Sequence, residues 1–126
     1  MKRVFYAVSA LFVCLSMSAQ INSVTQMDKK VKQYDAVFFE VALTGEWENP
    51  YLQEEAALDM ILTSPSGKEL VLPCFYKSGE SGSESIWEAR FTPQEKGKYT
   101  YFFRYTEDGN TVSESEPAKF KARRGR

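Results

Sequence analysis

The chain has 126 residues, with 16 lysine and arginine residues, 17 aspartate and glutamate residues, and no histidine. The absence of histidine excludes the usual catalytic triads and the usual zinc sites, and it removes the commonest general base. A formal net charge of −1 gives no electrostatic reason to expect nucleic acid or an anionic membrane as a partner.

The N-terminus has the pattern of a secretory signal peptide over residues 1–19. Two basic residues precede an apolar run at positions 4–15, and small residues lead to a cleavage site after Ala19 or Ser18. A membrane anchor is an alternative, but a spanning helix needs about 20 apolar residues. Lipidation at Cys14 is a second alternative. We therefore expect an exported protein in the periplasm, on the cell surface or outside the cell, with no membrane span.

Removal of the signal peptide would leave 107 residues, which is the size of one domain. Cys74 would then be the only cysteine, so we expect no internal disulfide. Its neighbours in "LVLPCFY" are mostly apolar, which indicates a small buried side chain rather than a nucleophile. A cysteine hydrolase would also need a histidine partner.

The first part of the predicted domain alternates between two faces. Residues 20–33 are a polar lead-in that could supply a first edge strand. "YDAVFFEVALTG" then places Val37, Phe39, Val41 and Leu43 on one face, which is typical of a half-buried strand. "ALDMILTSPSGKELVLP" reads as a hairpin, because Ser-Pro-Ser-Gly is turn chemistry between two alternating segments.

Four aromatic residues lie in predicted loops. Trp47 and Tyr51 belong to the acidic segment "EWENPYLQEE", and Phe75 and Tyr76 border the Gly/Ser-rich segment "KSGESGSES". Such rings can stack on sugars, dock against a neighbouring domain, or fold back and close the end of a sandwich. These four residues are therefore the candidate glycan or domain-docking contacts. The carboxylates around them indicate a solvated loop, since nothing in their spacing sets the separation that glycosidases require.

The last part of the chain contains the strongest strand signal, "EKGKYTYFFRYT". Glu95, Gly97 and Tyr99 have the spacing of a tyrosine corner. Tyr101 stands where antibody domains place a disulfide cysteine, so we expect aromatic rings to fill the space between two sheets. "EDGN" then predicts a hairpin, and "TVSESEPAKFKA" closes the domain.

These elements predict an all-β fold, an immunoglobulin-like antiparallel β-sandwich of about seven strands over residues 34–122. Residues 123–126 form a basic cluster, which we interpret as a solvated tail or linker start. The sequence has no Gly-rich phosphate loop and no calcium loop of the DxDxDG type. It therefore predicts no catalytic, cofactor-binding or metal-binding residues.

Five segments carry a family resemblance: "YDAVFFEVALTG" (34–45), "ENPY" (48–51), "SPSGKELVLPCFY" (64–76), "WEARFTP" (87–93) and "EKGKYTY" (95–101). In this order they resemble the family named domain of unknown function 5060. That resemblance implies an immunoglobulin-like module near the N-terminus of secreted bacterial proteins, ahead of predicted glycoside hydrolase domains. "KARRGR" (121–126) stands where a linker to such a (β/α)₈ domain would begin.

The resemblance implies a non-catalytic accessory or docking module of a glycoside hydrolase system, with a hydrolase catalytic domain or a polysaccharide as partner. It assigns no catalytic residue and no cofactor. A free-standing carbohydrate-binding module that uses the loop aromatics is the alternative. The two differ in the exposure of Trp47, Tyr51 and Tyr76, because a glycan-binding surface needs these rings open to solvent.

Overall fold

The computed structural model describes residues 19–125, which form strands, turns and loops without a helix. Apart from Ala19, the predicted signal peptide lies outside the described residues. In the described part of the chain, no helix is long and apolar enough to cross a membrane. The strands are β1 (Gln20–Gln26), β2 (Val31–Lys32), β3 (Val37–Thr44), β4 (Ala56–Thr63), β5 (Glu69–Pro73), β6 (Phe75–Gly79), β7 (Glu84–Phe91), β8 (Gly97–Glu107), β9 (Asn110–Glu114) and β10 (Ala118–Arg123).

The strands form two sheets. The first has the order β1-β3-β7-β6, and the second has the order β2-β10-β8-β4-β5, with β9 also paired to β8. Neighbouring strands are antiparallel, except that the short β2 runs parallel to β10. The predicted all-β, immunoglobulin-like antiparallel sandwich is confirmed.

Residues 19–125 form ten strands, where the sequence indicates about seven. The lead-in supplies β1, an edge strand paired to β3, and also β2. The strand after the first hairpin ends at Pro73, which has no N–H for a ladder. Cys74 then carries the chain to β6 in the opposite sheet. The C-terminal segment is also interrupted. Residues 115–117 separate β9 from β10, and both of these strands pair with β8.

Arg123 is the last residue of β10, although the sequence places it in a basic tail. Its carbonyl accepts a hydrogen bond from the backbone N–H of Gln33 at 2.8 Å, and the side chain of Gln33 accepts one from the backbone N–H of Gly125. The chain is thus held to the lead-in as far as residue 125. Similarly, β6 and β7 take up most of the predicted Gly/Ser loop and leave only residues 80–83 between them.

The core between the sheets is rich in aromatic rings. Tyr99, Tyr101, Phe103 and Tyr105 of β8 all face inward and are buried. They meet rings of the first sheet at centroid distances of 5.3 Å for Phe91 to Tyr99, 5.0 Å for Phe39 to Tyr101, and 6.5 Å for Trp87 to Tyr105. Each ring buries on the order of 150–250 Å². This packing occupies the space that a disulfide bridges in antibody domains.

The turn into β8 is a tyrosine corner. The Tyr99 hydroxyl accepts a hydrogen bond from the Glu95 backbone N–H at 3.1 Å and lies 3.2 Å from the Glu95 carbonyl, to which it donates. Gly97 has a φ of +126°, and a Cβ there would lie 3.0 Å from Pro65. Glycine is required because an L side chain would be strained in this conformation and crowded by Pro65.

Candidate functional site

The loop between β3 and β4 carries two of the candidate aromatics, and its own side chains hold its shape. The Glu55 carboxylate accepts hydrogen bonds from the backbone N–H groups of Glu48 and Asn49. The Asn49 side chain accepts one from the backbone N–H of Tyr51 at 3.0 Å. This is the local bonding that favours asparagine in turns. The loop conformation therefore fixes where Trp47 and Tyr51 are presented.

Trp87 of β7 is the buried anchor of this end of the sandwich, with 2% of its surface exposed. Its indole N–H donates to the Ser85 hydroxyl at 3.0 Å, and that hydroxyl donates to the Leu43 carbonyl at 3.1 Å. Three rings meet Trp87 edge to face, those of Trp47 at 5.8 Å, Tyr76 at 5.7 Å and Tyr105. Such edge-to-face contacts add to the stability gained from burial alone.

Trp47 and Tyr76 are partly buried and close the end of the sandwich. Their rings contact each other at 6.1 Å as well as Trp87. The Trp47 backbone N–H donates to the Ser81 hydroxyl at 2.8 Å, and the Tyr76 hydroxyl donates to the Gly79 carbonyl. The edge-to-face packing therefore holds both rings against the end of the domain, and each is only partly open to solvent.

Tyr51 and Phe75 are the exposed pair, with 72% and 52% of their surfaces open to solvent. Tyr51 meets the Tyr76 ring edge to face at 5.5 Å with an interplanar angle of 89°. Leu52 is also exposed. Tyr51 and Phe75 border a small cleft of about 130 Å³, which is lined by Pro50, Tyr51, Gln53, Ala56, Ala57, Cys74, Phe75, Tyr76 and Trp87. We call Tyr51, Leu52 and Phe75 the aromatic patch.

The Glu107 carboxylate also stabilises the end of the sandwich that holds the loop aromatics. Glu107 accepts hydrogen bonds from the Tyr105 hydroxyl at 2.8 Å and from the Glu46 backbone N–H at 3.1 Å. Burial raises the pKa of Tyr105, and the negative charges of Glu107, Asp108 and Glu55 raise it further. Gly45 lies against this hydroxyl, since a Cβ on Gly45 would be 2.4 Å from the Tyr105 oxygen. No sequence pattern indicates this arrangement, because Gly45 and Glu46 are about 60 positions from Tyr105 and Glu107.

Cys74 is buried beneath the cleft. Burial raises the pKa of its thiol strongly, and the nearby charge of Asp59 raises it further. Since the thiolate is the reactive form, Cys74 serves as an apolar side chain rather than as a nucleophile. In the described part of the chain, no group of three or more histidine, cysteine, aspartate or glutamate residues could hold a metal ion.

A larger cleft of about 480 Å³ opens on the side of the sandwich, between β1 and the break that separates β9 from β10. Ile21, Val24 and Pro117 are among its apolar residues, and Glu116 is among its polar ones. Tyr101 lines it, and burial raises the pKa of that hydroxyl. None of the four candidate aromatics lines this cleft. The cleft beside Tyr101 is therefore separate from the cleft beside the aromatic patch.

A family model with the description "Domain of unknown function (DUF5060)" matches residues 30–106, which is more than half of the chain. The chain belongs to the DUF5060 family. The matched range begins within the lead-in, so the DUF5060 pattern includes β2 as well as β3 to β7 and nearly all of β8. No curated protein matches the chain in sequence.

Two solved structures share the fold of this DUF5060 chain. One is an uncharacterized Listeria monocytogenes protein in complex with α-D-glucose, β-D-glucose, magnesium and calcium, at 20% identity and a TM-score of 0.61 over 77% of this chain. The other is the Pseudomonas fluorescens alkylpurine DNA glycosylase AlkC bound to DNA containing an abasic site analog, at 11% identity and a TM-score of 0.54 over 88% of this chain. The matches cover 9% and 32% of those proteins, so this chain spans less than a third of either.

Proposed function

We propose that this chain is a non-catalytic accessory module of a secreted carbohydrate-active system, and that it docks against a glycoside hydrolase catalytic domain. Membership of the DUF5060 family supports this proposal. The shared fold of the glucose-bound Listeria protein also supports it, since that match is confined to a small part of a much longer chain. A compact domain within a long protein is the arrangement expected of an accessory module.

The observation that carries the proposal is the division among the four loop aromatics. Trp47 and Tyr76 pack on Trp87 and stabilise the domain itself, whereas Tyr51 and Phe75 remain exposed. Large aromatic side chains next to a shallow cleft are typical anchors of protein interfaces, where they provide most of the binding energy. The perpendicular stacking of Tyr51 on Tyr76 also holds one of these anchors in a fixed position.

The roles of the nearby carboxylates support a non-catalytic module. Glycoside hydrolysis requires two carboxyl groups on either side of a sugar, one of them acting as a general acid. At this end of the domain, Glu55 and Glu107 accept hydrogen bonds from backbone N–H groups of the loop that holds Trp47. These bonds hold the two carboxylates against the protein backbone, which is a structural role.

Docking is tested by titrating the exported chain, residues 20–126, with a glycoside hydrolase catalytic domain encoded beside it. We expect the Tyr51→Ala/Phe75→Ala double variant to bind about 30-fold more weakly or worse, which corresponds to the loss of about 2 kcal/mol at one interface anchor. Met27→Ala is the matched control, because Met27 is an exposed apolar side chain outside the aromatic patch. Equal affinities of the double variant and the wild type would overturn the docking assignment.

A free-standing carbohydrate-binding module is the second candidate, and the exposure of Tyr51 and Phe75 favours it too. Affinity gels that contain neutral plant polysaccharides distinguish the two functions. Retardation that is lost in Tyr51→Ala, without a hydrolase present, would identify a carbohydrate-binding module. Unchanged migration of folded protein in all neutral gels, together with hydrolase binding, would support docking.

A further inference from the structure

The outward face of β10 carries an unpaired series of cations. Lys119, Lys121 and Arg123 alternate with the inward-facing Phe120 and Ala122. Two residues of a strand span about 7 Å, so the three cations form a row with roughly that spacing. The ion pairs among residues 19–125 are Lys77 with Glu40 and Arg104 with Glu114, and neither involves β10.

The neighbouring strands add positive charge instead of neutralising it. Lys121 is directly opposite Lys98 of β8, and Arg123 is opposite Lys32 of β2. Like charges in directly opposed positions destabilise a sheet. Lysine at a sheet edge can serve to prevent aggregation, and β10 is open on the side away from β8 except at Ala122 and Arg123, which pair with the two-residue β2. Edge protection alone does not account for the further cations that the flanking connections bring to this surface. The fold therefore keeps a repulsive arrangement that an anionic ligand would relieve.

Two clefts flank β10, and both are lined by cations. The first, of about 320 Å³, brings Lys29 and Lys30 from the β1–β2 connection beside Lys119, Lys121 and Arg123. The second, of about 390 Å³, adds Lys96 and Arg124 on the other side of Lys121 and Arg123. Within residues 19–125, no aspartate or glutamate lines either cleft. We call this surface, centred on Lys119, Lys121 and Arg123, the basic face.

We propose that the basic face binds an acidic polysaccharide, with successive carboxylate or sulfate groups of the polymer contacting successive cations of β10. This inference rests on the proposed carbohydrate-related function and adds the class of glycan. A polymer fits better than a single anion, because an exposed ion pair in water contributes at most about a fivefold gain in affinity. Several such contacts along one chain are needed for useful binding.

The shape of the surface favours a polysaccharide over nucleic acid. Proteins that bind single-stranded nucleic acids combine basic grooves with exposed rings on which the bases stack. Among the described residues that line the two clefts, Phe120 has the only aromatic ring, and it is buried in the core. Reading the major groove of a duplex requires a helix or a two-stranded ribbon that can enter it, whereas β10 lies within the second sheet of the sandwich.

The test uses polygalacturonate and its fully methyl-esterified form, which has the same backbone without the charges. We expect affinity gels to retard the exported chain with polygalacturonate and not with the ester. The Lys119→Gln/Lys121→Gln variant should bind about tenfold more weakly, since each removed contact costs up to about fivefold. Lys68→Gln/Lys77→Gln controls for net charge, because it removes two positive charges at positions that line neither cleft, although Lys77 also leaves its ion pair with Glu40. Binding should disappear in about 1 M salt, where the screening length falls to about 3 Å.

Three results would overturn the proposal: equal binding of the ester, an unchanged affinity of the Lys119/Lys121 variant, or tighter binding to an oligonucleotide or to phosphatidylserine vesicles. Because Lys119→Gln/Lys121→Gln does not alter the aromatic patch, hydrolase docking can be measured on the same protein. A wild-type chain that docks to the hydrolase but does not bind polygalacturonate would contradict this inference and leave the proposed function intact.

Discussion

The hydroxyl groups of Tyr99 and Tyr101 offer a matched test of the packing in β8. The two side chains are two positions apart on one strand, and 1% and 6% of their surfaces are exposed. The Tyr99 hydroxyl exchanges two hydrogen bonds with the Glu95 backbone. The Tyr101 hydroxyl has no hydrogen-bond partner among residues 19–125 and borders the side cleft. Replacing each tyrosine by phenylalanine removes one oxygen atom and leaves the ring in place.

We expect the two substitutions to differ in cost. Each hydrogen bond contributes about 0.5–1.5 kcal/mol, so Tyr99→Phe should lower the free energy of unfolding by about 1–3 kcal/mol. Tyr101→Phe should change it by less than about 0.5 kcal/mol, or raise it, because a buried hydroxyl without a partner is unfavourable. Tyr101→Ala should cost about 3–5 kcal/mol, since it opens a cavity beside Phe39.

Urea unfolding followed by tryptophan fluorescence measures all three variants, because Trp87 is buried in the native core. The slope of the unfolding free energy against urea should stay constant, which would show that only stability has changed. Equal losses for Tyr99→Phe and Tyr101→Phe would refute the hydrogen-bond assignment at the corner. Wild-type stability in Tyr101→Ala would refute the inward position of its ring.

Three further predictions concern the end of the sandwich that holds the loop aromatics. Ser85→Ala should cost about 1–3 kcal/mol in urea unfolding, because it leaves the Trp87 indole N–H buried without an acceptor; a neutral result would contradict the assigned bond. Cys74 should react with a thiol reagent at pH 8 only after denaturation, since burial raises its pKa; rapid native labelling would contradict its burial. Gly45→Ala should lower stability by at least about 1 kcal/mol, because the new methyl group must displace the Tyr105 hydroxyl; unchanged melting would show that the end relaxes freely.

Alternation along the chain was enough to predict the sandwich. The period of two in the segment from Val37 to Leu43, and again from Tyr99 to Tyr105, marks strands with one buried face, and both segments lie where the pattern indicated. The number of strands was harder to predict because interruptions are local. Pro73 ends one strand, and residues 115–117 divide another, without disturbing the alternation of the apolar residues on either side.

The candidate surfaces could be predicted only in part from the sequence. The pattern identified the loop aromatics but could not separate Trp47 and Tyr76, which pack inward, from Tyr51 and Phe75, which remain exposed. That difference depends on contacts with Trp87, which is at least 11 residues away along the chain. The basic face was missed for a related reason. The cations lie in separate segments of the sequence, at residues 29–32, 96–98 and 119–126, and only the fold brings the first two beside β10.

The two proposed surfaces lie toward opposite ends of the sandwich. The aromatic patch adjoins the end where Ala56 pairs with Glu107, whereas the basic face adjoins the end where Ala122 pairs with Gly97. They share no residue, and effects of substitutions at separate, non-contacting sites usually add within about 0.5 kcal/mol. A protein that combines Tyr51→Ala with Lys121→Gln should therefore lose hydrolase docking and polygalacturonate binding to the same extent as the two single variants. A weaker affinity for polygalacturonate in Tyr51→Ala alone would show that both ligands use one surface, and it would contradict this division of the domain.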